Sequence, residues 1–231
     1  MTHTMDKPIR TAPVPRYSPD IKSYYGRRAS EYDRIYLRPD RQPALRELES
    51  WVSGTLSGQR VLEVACGTGY WTRLLAAAAC HVVAVDINPE MIRIARDRCQ
   101  TCAGVEFRIE DAYDLPETLG NFDAAFMGFW WSHIPLQDIP GFLASLHARL
   151  DKGARVIILD NRFVAGSSTA ILRTDDNGNS YQLRKLSDGS TFEILKNFPD
   201  AAQLQALLSG YAADFSYRRN NFYWLAHYEA A

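Results

Sequence analysis

At 231 residues the chain is long enough for one α/β domain with a sizeable core, and too short for a nucleotide-binding domain plus a full second domain. Hydrophobic residues make up 46% and charged residues 23%, with a net charge of -1, so no strongly basic surface is available for a phosphate backbone and nucleic acid is not an expected partner. No apolar run approaches the roughly 20 residues of a membrane span, and Met1 to Pro19 lacks the apolar centre of an export signal, so a cytoplasmic protein without a membrane partner is expected.

Pro8, Pro13, Pro15 and Pro19 predict a mobile tail over residues 1–18, followed by a single domain over 19–231. Ile21, Tyr24, Tyr25, Tyr32 and Ile35 recur at helical spacing between Asp20 and Tyr36, and Leu45, Leu48, Trp51 and Val52 mark a second helix ending near Gly54; together they predict a helical cap over 19–56. Arg60 to Val64 reads as a strand, a glycine turn follows, and Tyr70 to Ala79 reads as a helix. The next unit pairs a strand, His81 to Asp86, with a helix capped by Asn88 and opened by Pro89. Val105 to Ile109, Phe122 to Met127 and Arg155 to Leu159 supply further strands, with a helix from Leu136 to Leu150. Such alternation predicts a mainly parallel, doubly wound sheet.

After the fifth strand, residues 163–198 turn polar, with turn signals at Asn177-Gly178 and Asp188-Gly189, and predict a hairpin insertion. Asp200 opens a helix to Leu208, and Asp214 to Arg219 with Phe222 to Tyr228 predict a closing antiparallel pair. Phe222, Tyr223 and Trp224 are also candidates for a face exposed to a partner in a homodimer. Of the cysteines, only Cys99 and Cys102 have a metal-like spacing, and with no second pair no metal is expected.

Glu63-Val64-Ala65-Cys66-Gly67-Thr68-Gly69 forms a strand-to-helix turn of small residues, the geometry that lets backbone N–H groups approach a ligand. Asp86, at the carboxyl end of the next strand, is placed to accept from both hydroxyls of a ribose. A dinucleotide site needs Gly or Ala three residues beyond the second glycine; Thr72 stands there, which weakens the alternative of a nicotinamide-dependent oxidoreductase.

Val61 to Thr72 resembles motif I of the class I S-adenosylmethionine-dependent methyltransferases, and Val82 to Met91 resembles the acidic motif that follows it. Phe107 to Ala112 and Phe122 to Met127 fit the same family, whose ubiquinone/menaquinone-biosynthesis-type members are the most similar by pattern. The resemblance implies a Rossmann-like fold with a seven-stranded sheet and S-adenosylmethionine as cofactor. It sets Glu63, Ala65, Gly67 and Gly69 around the methionine part, Asp86 on the ribose, and Ile87 and Met91 against adenine. Asp111 and Ala112 then meet the adenine edge, with Met127 and Phe129 beside the reactive end and Tyr32 closing over the cofactor. Ala65 departs from the pattern, since relatives usually carry glycine there.

The expected activity is methyl transfer to a small-molecule acceptor by in-line displacement; the alternative is a non-catalytic module that only binds the cofactor. Trp130, Trp131 and His133 follow the fourth strand at the substrate edge of the sheet, and a neutral His133 could act as a base toward a protonated nucleophile. Asn161 and Arg162 after the fifth strand, and Tyr181, Arg184 and Lys185 in the insertion, complete the candidate substrate residues; if the basic ones face inward, they suggest an acidic or phosphorylated acceptor. A nucleic-acid base methyltransferase is disfavoured, since Gly128-Phe129-Trp130-Trp131 stands where an Asn-Pro-Pro-aromatic or Asp-Pro-Pro-aromatic motif is needed.

Overall fold

A computed structural model of the chain describes residues 19–231; the tail expected over 1–18 lies outside them. The cap comprises α1 (Pro19–Arg28), a 3₁₀ stretch (Ala29–Leu37) and α2 (Gln42–Thr55). The single helix expected over 20–36 is thus two, because side-chain spacing over so few turns does not separate 3.0 from 3.6 residues per turn. Then come β1 (Arg60–Val64), α3 (Tyr70–Ala76), β2 (His81–Asp86), α4 (Pro89–Arg98), β3 (Val105–Ile109), β4 (Phe122–Gly128), α5 (Ile139–His147) and β5 (Leu150–Asn161). The helix expected from Leu136 begins only at Ile139, with Pro140 in its first turn, where a missing N–H costs no hydrogen bond.

The main sheet has seven strands in the order β3-β2-β1-β4-β5, extended by two C-terminal strands described below; the first five are parallel. Alternate residues feed opposite faces. Val83 and Val85 pack with Phe142, Leu143 and Leu146 of α5, whereas Val82 and Ala84 pack with Leu45, Val52, Leu75 and Ile92 from α2, α3 and α4. Helices therefore cover both faces, the arrangement that parallel strands need.

The insertion is a three-stranded antiparallel sheet, β6 (Arg173–Thr174), β7 (Ser180–Lys185) and β8 (Thr191–Leu195). Both turn signals lie between its strands, and the short β6 adds to the expected hairpin. The α6 helix (Ala201–Leu207) starts on a capping box, Asp200 and Gln203, and β9 (Ala212–Arg219) and β10 (Tyr223–Ala230) complete the main sheet with β10 antiparallel to β5. Tyr223 and Trp224 are buried within this sheet, so the homodimer expectation loses the aromatic face it rested on. Among the described residues no helix is long and apolar enough to cross a membrane.

Two contacts fold the insertion over the strand ends. Ile21 and Tyr24 of α1 pack on Leu186 and Ile194. Deeper, Lys196 Nζ lies 3.0 Å from Asp160 Oδ1 at the end of β5, and it also bonds the Ser132 hydroxyl. Asp160 is fully buried and further accepts from the amides of Ser132 at 2.9 Å and Asn161 at 2.7 Å. Burial is the largest influence and pushes its carboxyl up, but the Lys196 ammonium and the bonded amides together outweigh it and hold the carboxyl below the usual carboxylate range.

Removing one partner of such a pair leaves an uncompensated buried charge. Lys196→Met is expected to lower stability by about 3–5 kcal/mol, and adding Asp160→Asn to recover much of the loss. Urea unfolding checks this; a single substitution that unfolds within about 1 kcal/mol of the parent would show that the pair does not secure the insertion.

Candidate active site

The strands β1 and β4 are neighbours, and the chain leaves them in opposite directions, through β2 and β3 on one side and β5 on the other. Ligands of open parallel sheets bind at such a point, beyond the carboxyl ends of the strands. Both strands end on a left-handed residue, Ala65 at φ 55° and Phe129 at φ 62°. For a residue with a Cβ this costs about 1–2 kcal/mol, which explains why glycine suits the first position better than the alanine found here. The turns are fixed by backbone bonds, Cys66 N–H to the Val85 carbonyl at 3.0 Å and Phe129 N–H to the Leu159 carbonyl at 2.7 Å.

Between them opens a cleft of about 700 Å³. Of the expected cofactor residues, Tyr32, Ala65, Gly67, Asp86, Ile87, Met91, Ala112 and Phe129 line it. Gly67 has φ 58°, and a Cβ there would meet only the Tyr32 ring, at 3.9 Å. The Asp86 carboxylate bridges the turn and the start of α4, accepting from Gly67 N–H at 3.0 Å and Asn88 N–H at 2.8 Å. Burial pushes its pKa up to about 6, against the pull of those two amides.

Four expected cofactor residues do not line the cleft. Gly69 serves packing: its Cβ would stand 2.9 Å from the Ala95 Cβ on α4, so α3 and α4 could not approach as they do. Glu63 lies buried behind the turn, its Oε2 without a hydrogen-bond partner among the described residues and its pKa pushed to about 8 by burial. Met127 is fully buried in the core, and Asp111 turns its carboxylate back to the Tyr113 amide at 2.9 Å. Lys22, Tyr25, Asn88 and Glu110 line the cleft without having been expected there, since a tyrosine-rich helix reads equally well as a packing face.

A second cavity, of about 980 Å³, lies under the cap and the insertion, and its walls share Tyr25, Tyr32, Phe129 and His133 with the first. The expected acceptor residues Asn161 and Arg184 line it, whereas Trp130 lines the first cleft. Trp131 is 1% exposed and packs on Phe142 in the core. Arg162 lies outside both cavities and donates to the Asn220 carbonyl; Tyr181 also stays outside, bonding Asp175 at 3.0 Å beneath the Arg173 guanidinium. Lys185, exposed on the insertion, lines neither cavity.

His133 sits where the cavities meet. Its Nδ1 lies 2.8 Å from the Leu195 carbonyl, which can only accept, so Nδ1 carries the proton and Nε2 accepts from the Tyr25 hydroxyl at 2.7 Å. Burial, reinforced by the Lys196 charge, pushes the imidazole pKa down to about 3. The ring is neutral as expected, but its lone pair is engaged and further protonation is opposed, which fits a group that orients Tyr25 better than one that takes up a proton.

A left-handed glycine turn, a carboxylate bonded beside it, and an apolar slot between Ile87, Met91 and Ala112 suit an adenosine: hydroxyls toward Asp86, the flat base in the slot. With its pKa near 8 the buried Glu63 carboxyl is largely protonated at neutral pH, a hydrogen-bonding group behind the turn whose Oε2 has no partner among the described residues.

Comparison with known proteins agrees. A methyltransferase-domain family matches residues 61–153. The chain is 31% identical over 156 residues to a demethylmenaquinone methyltransferase of Tropheryma whipplei, covering 65% of this chain and 64% of that protein, so it spans just under two thirds of that relative's length. Among solved structures, the DhpI–SAH complex superposes with a TM-score of 0.74 at 31% identity, covering 91% of this chain and 95% of that one. The DhpI–SAM–HEP complex gives 0.75 at 29% identity, covering 94% and 99%. With its glycine turn, acidic strand end and doubly wound sheet, the chain belongs to the class I S-adenosylmethionine-dependent methyltransferases.

Proposed function

We propose that the protein transfers the methyl group of S-adenosylmethionine to a small-molecule acceptor, with the cofactor in the first cleft and the acceptor in the second cavity. The carrying observation is that the two cavities adjoin, both lined by Tyr25, Tyr32, Phe129 and His133, which sets a ligand in one beside a ligand in the other. The family, and relatives whose names describe methyltransferases of small quinone-type molecules, support the reading.

When bound, the cofactor supplies an activated methyl group, so the protein has chiefly to align the acceptor and exclude water. The aromatic rings of Tyr32, Tyr36 and Phe129 close the space around the junction. Asp86 holds the ribose, and Ile87, Met91 and Ala112 bracket adenine. Tyr25, fixed by His133, presents its hydroxyl at the junction.

Calorimetric titration with S-adenosylmethionine and with NADH, followed by turnover on fractionated small metabolites, tests the proposal. Micromolar binding of the first, no binding of the second, and release of S-adenosylhomocysteine are expected; binding without turnover on any fraction would leave a binding module, and NADH binding would reverse the assignment.

A hydrogen bond from a ribose hydroxyl to a carboxylate contributes about 1.5–3 kcal/mol, so Asp86→Ala is expected to weaken cofactor affinity by about tenfold or more. In the parent protein the ionised carboxylate is the better acceptor, and its pKa is near 6. Affinity should therefore hold above neutrality and fall as pH drops through 6, by roughly tenfold per unit once the group is mostly protonated. Titration with S-adenosylhomocysteine between pH 8 and about 5 reads this directly; a flat profile would remove Asp86 from the ribose.

A further inference from the structure

The second cavity carries an unusual charge pattern. Five cationic side chains line it, Arg28, Arg38, Arg41, Arg184 and Lys196, and no aspartate or glutamate does. Two are neutralised elsewhere: Arg38 pairs with Asp40 at 2.9 Å and Lys196 with Asp160 at 3.0 Å. Arg28, Arg41 and Arg184 have no carboxylate within ion-pair distance among the described residues.

These three come from separate parts of the chain, the end of α1, the residue before α2, and β7 of the insertion. Each is oriented by neutral oxygen atoms. Arg28 donates to the Tyr24 hydroxyl at 2.9 Å; Arg41 to the Ser167 hydroxyl at 3.1 Å and Asn161 Oδ1 at 3.4 Å; Arg184 to the Thr169 hydroxyl at 2.9 Å and Gln182 Oε1 at 2.6 Å. A guanidinium has five donors, so every one keeps donors to spare, and Arg41 Nε is buried without a hydrogen-bond partner among the described residues. Arg41 is further held by stacking over Phe222 and Tyr223, and Arg28 over Tyr24 and Tyr32.

Three like charges lining one cavity repel one another, and a fold gains nothing from that unless a counter-charge enters. Their field already reaches the buried Lys196, whose pKa is lowered by burial and further by Arg184 and Arg28. Other arginines of the same region behave differently: Arg27 pairs with Asp188 at 2.7 Å and Arg34 with Glu31 at 3.0 Å, both facing solvent. The contrast separates an ordinary charged surface from three cations held in place and left unneutralised.

We infer that the acceptor is a small anion whose carboxylate or phosphoryl group is gripped by Arg28, Arg41 and Arg184. Planar guanidinium forks match both oxyanions with paired, charge-assisted hydrogen bonds. This rests on the methyltransferase reading for the word acceptor, while the anion grip itself stands on the cavity alone.

The full chain is titrated by calorimetry with inorganic phosphate and, separately, acetate, each at low salt, with and without S-adenosylhomocysteine; catechol serves as a neutral hydroxyl-bearing probe. One anion per chain is expected, with affinity reduced about tenfold or more by Arg184→Gln and by Arg28→Gln, falling in high salt, and unchanged by Arg93→Gln on the surface of α4. Arg41→Gln removes the stacked guanidinium as well; if that variant does not fold, the other two still decide. Phosphate bound in preference to acetate assigns a phosphoryl group, and the reverse a carboxylate. Binding of neither anion, or anion binding indifferent to all three arginines, overturns the inference. Absence of S-adenosylhomocysteine binding would strike the methyltransferase reading separately, since the anion titration is read without it.

Discussion

Everything at the site depends on how two adjacent parallel strands end. The strands β1 and β4 stop side by side, and each turns away through a left-handed residue, Ala65 and Phe129. Those turns send the following chain to opposite sides and open the cleft between them, and the amide bonds to Val85 and Leu159 lock both turns to their neighbouring strands. The strain is small beside the burial that holds the sheet: Leu62, Val64, Ala125 and Met127 are fully covered, so the backbone cannot relax without uncovering them. Asp86 is aimed by the same device, because its carboxylate is bonded to the glycine turn that Ala65 begins.

The second cavity is built on the opposite principle, with charge where the first cleft has apolar walls. One buried pair, Asp160 with Lys196, ties the insertion to the end of β5 and brings the Leu195 carbonyl against His133, which in turn orients Tyr25. The insertion thereby carries Arg184 to a cavity whose other arginines come from the cap. Cap, sheet edge and insertion each supply part of this chamber, and the cap also lines the first cleft through Lys22, Tyr25 and Tyr32.

Much of this was legible in the sequence, and the pattern of what was not is instructive. The strands β1 and β2 fall at the expected residues because a buried parallel strand is a short apolar run bounded by turn residues, whereas β3, a partly exposed edge strand, alternates apolar with charged residues. Gly67 and Asp86 line the cleft as the sequence suggests, because a left-handed turn and a strand-end carboxylate constrain residue type and spacing together. Gly69 does not line the cleft: glycine also marks a close approach of two helices, and the position of Ala95 shows that packing role here. Side-chain direction after a strand was illegible, so Trp130 and Trp131 looked alike while one faces the cleft and the other the core. Nothing in the sequence of the cap separates Arg27 and Arg34, which pair with carboxylates facing solvent, from Arg28 and Arg41, which line the second cavity, because that cavity is closed by the distant insertion and the end of β5.

The central claim is geometric, that one ligand in the first cleft presents its reactive end to a second ligand across the wall of Tyr25, Tyr32, Phe129 and His133. Diffraction from crystals grown with S-adenosylhomocysteine tests it most directly. The account predicts ribose hydroxyls on Asp86, adenine between Ile87, Met91 and Ala112, and the sulfur facing the cationic cavity; adenosine bound elsewhere, or a sulfur turned away from that cavity, would contradict it.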